Sequence, residues 1–271
     1  MIPDPLQPFL AVVAVVTVAL ASVLTGTLDK CGCVAGTAVG LTILFFGGWQ
    51  WLAVLLVFFV SAAFFTRFKS ELKRRMGTGE GSEGMRSWQN VMANGSVASA
   101  FAVAYGLTYF TPFVLGYLGA IGTSAADTLA TEIGLLNPYA PRLITNLNRQ
   151  VPAGTSGAVS PYGEMASLVG AGVVSSVAGV LALPSWNDLG SFVVVLMAGF
   201  MGSTFDSLLG ATVQAIYRCP LCGALTERRA HCNARTQHFS RNRFLDNNAV
   251  NLLATAFGGI SATVLYMILF V

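Results

Sequence analysis

Charge is what this sequence has least of. Lysine and arginine number 15, aspartate and glutamate 12, and together they make 10% of 271 residues. Soluble domains carry about 25%, so this scarcity excludes a soluble globular enzyme. A hydrophobic content of 54% excludes a disordered chain. A net charge of +3 is too small to drive nucleic-acid binding. The ten-residue alternation of a membrane β-barrel is missing too. No Lys or Arg precedes the first apolar run, so that run reads as a first span rather than a cleaved signal. Glycine, by contrast, is abundant at 29 residues and suits close helix packing in lipid. The class implied is all-α, a polytopic bundle of transmembrane helices forming one domain over 1–271.

The charge-free runs locate the spans. They cover 5–28, 31–66, 87–126, 165–187 and 247–271, and 189–217 is interrupted only by Asp206. A crossing needs about 20 apolar residues. The run 31–66 would be roughly 54 Å long as one helix, so it divides at Gly47-Gly48. The run 87–126 divides at Thr111-Pro112. Eight crossings result, near 6–26, 31–47, 49–66, 89–110, 112–133, 161–183, 189–215 and 247–270. All 15 basic residues then fall on one side: Lys30, six in 67–88, Arg142 and Arg149 in 134–160, and six in 216–246. By charge bias that side is cytoplasmic. The protein is expected to be multi-pass, with its active face there.

Five acidic residues lie within or at the mouths of these spans: Asp127, Glu132, Glu164, Asp206 and Asp246. A carboxylate in hydrocarbon costs on the order of 3 kcal/mol and needs a cation, a basic partner or water. The topology brings all five to the cytoplasmic half. They read either as one pooled site or as separate interfacial caps, Glu164 and Asp246 sitting in favourable first turns. Ser124, Asp127 and Thr131 share a helical face. Asp127 and Glu132 lie about 140° apart and do not grip one ion side by side. Ser203 shares a face with Asp206, and Asn247 with Asn251. Oxygen donors of this kind suit Mg²⁺. The absence of thiolates and imidazoles argues against a transition metal there.

The stretch Val151–Ser160 is small and polar at a helix start, which reads either as an anion cradle or as a flexible loop. It lacks the Gly-Lys-Ser/Thr of a Walker A loop. Arg142 and Arg149 just before it are candidates for pairing with phosphate. The polybasic segment Arg67–Arg75 reads as a topology anchor on anionic lipid; with the glycines of 77–84 it also reads as a phosphate-recruiting lid.

Five cysteines remain. Cys31 and Cys33 are small packing residues. Cys219-x-x-Cys222-Gly223 has the spacing of a zinc knuckle, and Cys232 with either His231 or His238 would complete a closed structural site. A metal would hold the cytoplasmic loop 216–246 in order. Free thiols or a redox dithiol are the bland alternative.

Four stretches, GTSAADTLATEIG, R.IT…VPAGTSGAVS..G, GFMGSTFDSLLGA and LDNNAVNLLA, resemble the DUF92 integral membrane proteins. That family includes the animal transmembrane protein 19 and a plant phytyl-phosphate kinase. The motif match covers residues 120 to 255, with the first 120 alike only in hydrophobic pattern. The resemblance implies Mg²⁺-dependent phosphorylation of a prenyl monophosphate to its diphosphate by a nucleoside triphosphate such as CTP. Asp127, Asp206 and Arg142 would be catalytic, with Asp127 and Asp206 holding Mg²⁺ assisted by Asn247 and Asn251. Ser124, Thr128, Glu132, Thr145, Gly154, Thr155, Ser156, Gly157, Ser203 and Asn248 form the expected substrate and nucleotide set. The expected partners are a prenyl phosphate lipid, a nucleoside triphosphate and membrane lipids, with a homo-oligomer besides. The competing reading is a transporter or flippase for an anionic lipid or ion, with Asp127, Glu132 and Asp206 as coupling sites. A cytidylyltransferase is a third.

Overall fold

The computed structural model describes residues 6–75, 85–183, 189–227 and 229–271. Nine helices account for most of them: α1 (Leu6–Leu24), α2 (Lys30–Gly47), α3 (Trp49–Arg67), α4 (Ser70–Arg75), α5 (Trp88–Thr108), α6 (Pro112–Gly134), α7 (Pro161–Val180), α8 (Leu189–Thr212) and α9 (Asn247–Phe270). All but α1 and α4 are long and apolar enough to cross a membrane, and α1 contains the shorter apolar segment Val12–Leu24. The eighth crossing of the sequence reading rests on α1. Large apolar side chains such as Phe64, Leu107, Val180 and Ile268 point outward, as a bundle dissolved in lipid requires.

Local chemistry sets the helix ends. Asp29 caps α2 by accepting from Gly32 N–H, Ser160 caps α7 from Gly163 N–H, and Asp246 caps α9 from Ala249 N–H. Pro112 and Pro161 open α6 and α7, where a missing N–H costs nothing. Gly48 separates α2 from α3 at φ +92°, a conformation that favours glycine.

Helix α6 is the axis of the bundle and buries every residue from Val114 to Ala126. It packs on α3, α5, α7, α8 and α9. Small residues permit the approach. A Cβ on Gly119 would sit 2.6 Å from Gly258 O and 2.6 Å from Ala262 Cβ. The Thr123 side chain wedges against both Gly202 and Gly258, leaving neither room for a Cβ. At one end of the bundle Trp51 stacks on Tyr105 and Tyr117, and Tyr117 donates to Trp51 O at 2.6 Å. At the other end Arg67 donates to Thr25 O, Arg86 N–H donates to Thr27 O at 2.9 Å, and Lys73 pairs with Glu132. The ends of α1, α3 and α6 and the starts of α2 and α5 therefore meet on one face.

The connections 134–160 and 216–246 are more ordered than the sequence alone implies. The first carries a three-stranded antiparallel sheet, β1 (Arg142–Leu143), β2 (Asn146–Gln150) and β3 (Ala158–Val159), in the order β2-β1-β3. The second carries β4 (Ile216–Arg218), β5 (Leu225–Thr226) and β8 (Gln237–Ser240) in the order β5-β4-β8, plus a hairpin of β6 (Ala230–His231) and β7 (Ala234–Arg235). The glycine-rich lid expected at 77–84 lies outside the described residues.

Gly119→Ala is expected to lower stability by about 1–3 kcal/mol, because backbone rather than a movable side chain blocks the new methyl group. Gly172→Ala, whose nearest neighbour would be Leu196 Cδ1 at 3.7 Å, is expected to unfold like the parent in the same detergent melt.

Candidate functional site

Two side chains on the axial packing layer point the way. Asp127 follows Thr123 by four residues on α6, and Asp206 follows Gly202 by four on α8. Each acid therefore sits one turn beyond the contact that locks its helices together. Asn251, seven residues before Gly258, occupies the matching place on α9. All three stand about 6–10 Å from the nearest end of their helices.

The cluster has a third carboxylate that sequence reasoning assigned to a loop. Glu227, just after β5, comes close enough to both Asp127 and Asp206 for the charges to interact, as Asp127 and Asp206 do with each other. Gln214 Nε2 donates to Glu227 Oε2 at 2.8 Å, and Ser156 Oγ donates to the same oxygen at 2.9 Å. Gln214, fully buried at the end of α8, also reaches Asn247 Oδ1 at 3.4 Å. Nothing in periodicity or charge pattern marks Glu227 or Gln214, because their place depends on how the loop folds back. Among the described residues no lysine or arginine is ion-paired with Asp127, Asp206 or Glu227.

Asn251 tests whether this cluster suits a cation. With its nitrogen turned to Asp206, it donates to Asp206 Oδ2 at 3.1 Å and to Asn247 O at 2.9 Å. With its oxygen there, two acceptors face each other. An all-oxygen donor set with three carboxylates fits a hard divalent cation.

The other sequence candidates disperse. Glu132 is ion-paired with Lys73, itself only 4% exposed, and so stands apart from the carboxylate cluster. Lys73 thereby leaves the basic anchor to which the sequence reading assigned it. Asp246 caps α9 and pairs with Arg229 at 3.1 Å, the cap reading rather than the pooled one. Glu164 stays in the first turn of α7. Arg142 is exposed and donates to Leu147 O across its own hairpin, and Thr145 is exposed beside it. The anion cradle is largely closed. Thr155 N–H and Oγ1 both donate to Pro152 O, Ala158 N–H donates to Thr155 O, and Gly157 is pressed against Gly210 and Ala211. Gly154 takes φ +81° in an exposed turn. Ser124 donates to Asn94 O and Ser203 is buried, so both pack helices together. Thr128 and Asn248 are half-buried, on α6 and in the first turn of α9.

The cysteine knuckle is a second centre. The ligand atoms of Cys219, Cys222, His231 and Cys232 lie within 4.8 Å of one another and could hold a metal ion. Gly223, at φ +74°, closes the turn by donating its N–H to Cys219 O at 3.0 Å. His231 Nδ1 stands 3.4 Å from Cys222 Sγ and 3.3 Å from Cys232 Sγ. His231 is the histidine that stands in this cluster, whereas His238 packs edge-on against Tyr217. Cys232 and Asn233 both have positive φ, as a two-residue hairpin turn requires. Hydrogen bonds, first from the Cys222 backbone, bring the Cys219 thiol down to about 6. The neighbouring Cys222 side chain pushes Cys232 up to about 11, a crowding of sulfurs that a bound cation relieves.

A family model described as integral membrane protein DUF92 matches residues 13–259, so the likeness reaches well into the N-terminal part. An uncharacterized membrane protein of Methanocaldococcus jannaschii is 28% identical over 258 residues, covering 95% of this chain and 94% of its own. Protein PGR of Arabidopsis thaliana is 30% identical over 250 residues, covering 84% and 85%. Protein VTE6, chloroplastic, of Arabidopsis thaliana is 27% identical over 162 residues, covering 58% of this chain and 47% of its own. No solved structure matches.

Elemental analysis of purified protein is expected to find one metal ion per knuckle. Cys222→Ser and His231→Ala should each release it, whereas His238→Ala should keep it. Retention in His231→Ala with loss in His238→Ala would reverse the ligand assignment.

Proposed function

The chain belongs to the DUF92 family of integral membrane proteins, and from that premise we propose that it is a Mg²⁺-dependent membrane kinase. Its substrate would be a prenyl monophosphate, phosphorylated to the diphosphate by a nucleoside triphosphate such as CTP. The observation that carries this reading is the convergence of Asp127, Asp206 and Glu227 with no basic partner among the described residues. The resemblance to a family that includes a plant phytyl-phosphate kinase supports it. We further propose that the carboxylate face is cytoplasmic, as the distribution of Lys and Arg suggests.

The chemistry asks little of the protein beyond placement and charge. A phosphate oxygen of the acceptor attacks the terminal phosphorus of the donor. A new P–O bond forms, the bond to the donor's bridging oxygen breaks, and the nucleoside diphosphate leaves. The acceptor is already an anion at neutral pH, so no general base is required. Bound Mg²⁺ supplies neutralisation of the phosphate charges. Asp127, Asp206 and Glu227 would hold it, with Asn247 and Asn251 beside them in place of the fuller set expected from sequence. Gln214 and Ser156 fix the Glu227 carboxylate through their hydrogen bonds.

Zinc is the ion this reading assigns to the knuckle, since three thiolates and one imidazole form a closed set with no open position. The knuckle then has a task. Glu227 lies between Cys222 and His231 in the chain, so ordering the ligands orders the carboxylate.

The test is purified protein in lipid with geranylgeranyl phosphate, Mg²⁺ and either CTP or ATP. Asp127→Asn and Asp206→Asn are each expected to reduce turnover by at least about 100-fold, a loss of several kcal/mol of charge stabilisation. Glu227→Gln is expected to raise the Mg²⁺ concentration needed for half-maximal rate. Unchanged rates in both aspartate variants would end the metal assignment.

A further inference from the structure

An apolar recess lies away from the carboxylates, between α1, α2, α3 and α5. It is a cavity of about 80 Å³ whose walls include Val15, Val39 and Leu55, and whose polar end is Arg86, Asn90 and Asn94. Asn94 is already committed, donating to Asn90 O at 2.9 Å. Arg86 is not. Its backbone is fixed by a bridge to Leu28 and by hydrogen bonds with Thr27 and Asp29. Among the described residues no hydrogen bond or ion pair engages its guanidinium. Among the described residues, Glu132 is the carboxylate whose charge acts on it, and Glu132 is held by Lys73. Burial pushes the Arg86 guanidinium below its ordinary value, and the Glu132 charge only partly offsets this. Among the described residues the Arg86 guanidinium therefore stands without an ion pair at the polar end of an apolar cavity.

A half-buried guanidinium with five donors and no acceptor is an unfavourable arrangement unless something anionic reaches it. An arginine also binds phosphate or carboxylate through paired hydrogen bonds. The apolar walls would accept the first few carbons of a hydrocarbon chain, and a molecule dissolved in the bilayer could approach between helices that border lipid, with the rest of its chain lying along them. We propose that this cavity binds a single-chain amphiphile, with the start of its tail between α1, α2, α3 and α5 and its anionic head on Arg86. The site needs no phosphoryl transfer to exist. If the kinase reading holds, the cavity seats the start of the substrate tail: Ser124, on the same face as Asp127, donates to Asn94 O at 3.1 Å, which sets cavity and carboxylates side by side.

The experiment is equilibrium binding of radiolabelled geranylgeranyl phosphate to the full chain in phosphatidylcholine nanodiscs, without nucleotide or Mg²⁺. Arg86→Gln leaves the backbone bridge intact and is expected to weaken binding at least tenfold, with Arg86→Lys recovering part of it. Gly36→Leu fills the cavity, because a Cβ there meets only Leu28 Cδ1 at 3.5 Å, and is expected to weaken binding similarly without touching Arg86. Geranylgeraniol should bind the parent at least tenfold more weakly than the phosphate, and equally to parent and Arg86→Gln. Inorganic phosphate should not compete. Asp206→Asn should bind as the parent does, so loss of turnover there with binding kept would separate this site from the kinase reading. The proposal is overturned if phosphate and alcohol bind alike, if Arg86→Gln binds like the parent, or if Asp206→Asn alone loses the probe. Displacement by phosphatidylglycerol in the nanodisc would give the cavity to bilayer lipid and overturn the single-chain assignment.

Discussion

The wedge of Thr123 between Gly202 and Gly258 is the contact on which the rest depends. It fixes how near α6, α8 and α9 approach, and in what register. Because helical side chains recur on a face every three to four residues, fixing one layer fixes the next. Asp127 and Asp206 are each one turn beyond the wedge, and Asn251 two turns from Gly258. In lipid there is little hydrophobic gain from joining helices, so close van der Waals contact has to hold them. The same glycines that make the bundle cohere therefore set the spacing of its acids.

A second constraint comes from outside the bundle. Glu227 belongs to a loop with few apolar residues to bury, and such a segment does not order itself cheaply. The structure ties it twice: by Gln214 and Ser156 to the carboxylate itself, and by the four-ligand cluster on either side of it. A metal bound at the knuckle would thus be linked to the carboxylates through a few residues of chain. Chelating it should consequently loosen the second site.

Much of this was readable in advance, and the boundary is physical. Charge-free runs and their breaks at Gly47-Gly48 and Thr111-Pro112 announce helices because an unsatisfied backbone is not tolerated in hydrocarbon. Asp127 and Asp206 stand out because a carboxylate in an apolar helix needs a reason. Cys219 and Cys222 stand out by spacing. The polar residues in loops behave otherwise. Arg142 and Thr155 satisfy their own hairpin and turn, whereas Glu227 and Gln214 are drawn into the cluster. Loop direction depends on tertiary contacts that have no period, so the side chain that travels furthest is the one least visible. The histidine pair makes the same point. His231 and His238 are equivalent by spacing, and only the positive-φ turn at Cys232-Asn233 and the Tyr217 ring separate them.

The disposition of charge gives these pieces a common logic. Of the acids near the spans, Glu132 has Lys73, and Asp246 has Arg229 and the start of a helix. Glu164 lies in a first turn, where the helix dipole favours it. Each of these is neutralised by something permanent, and each is structural. Among the described residues, Asp206 and Glu227 receive neutral hydrogen-bond donors, from Asn251, Gln214 and Ser156, and Asp127 has no ion pair. Arg86 is their mirror image, a cation beside an apolar cavity whose guanidinium has no ion pair among the described residues. Uncompensated charge in a low-dielectric setting costs several kcal/mol. The proposed cation at the carboxylates and the proposed anionic head at the guanidinium would each remove that cost.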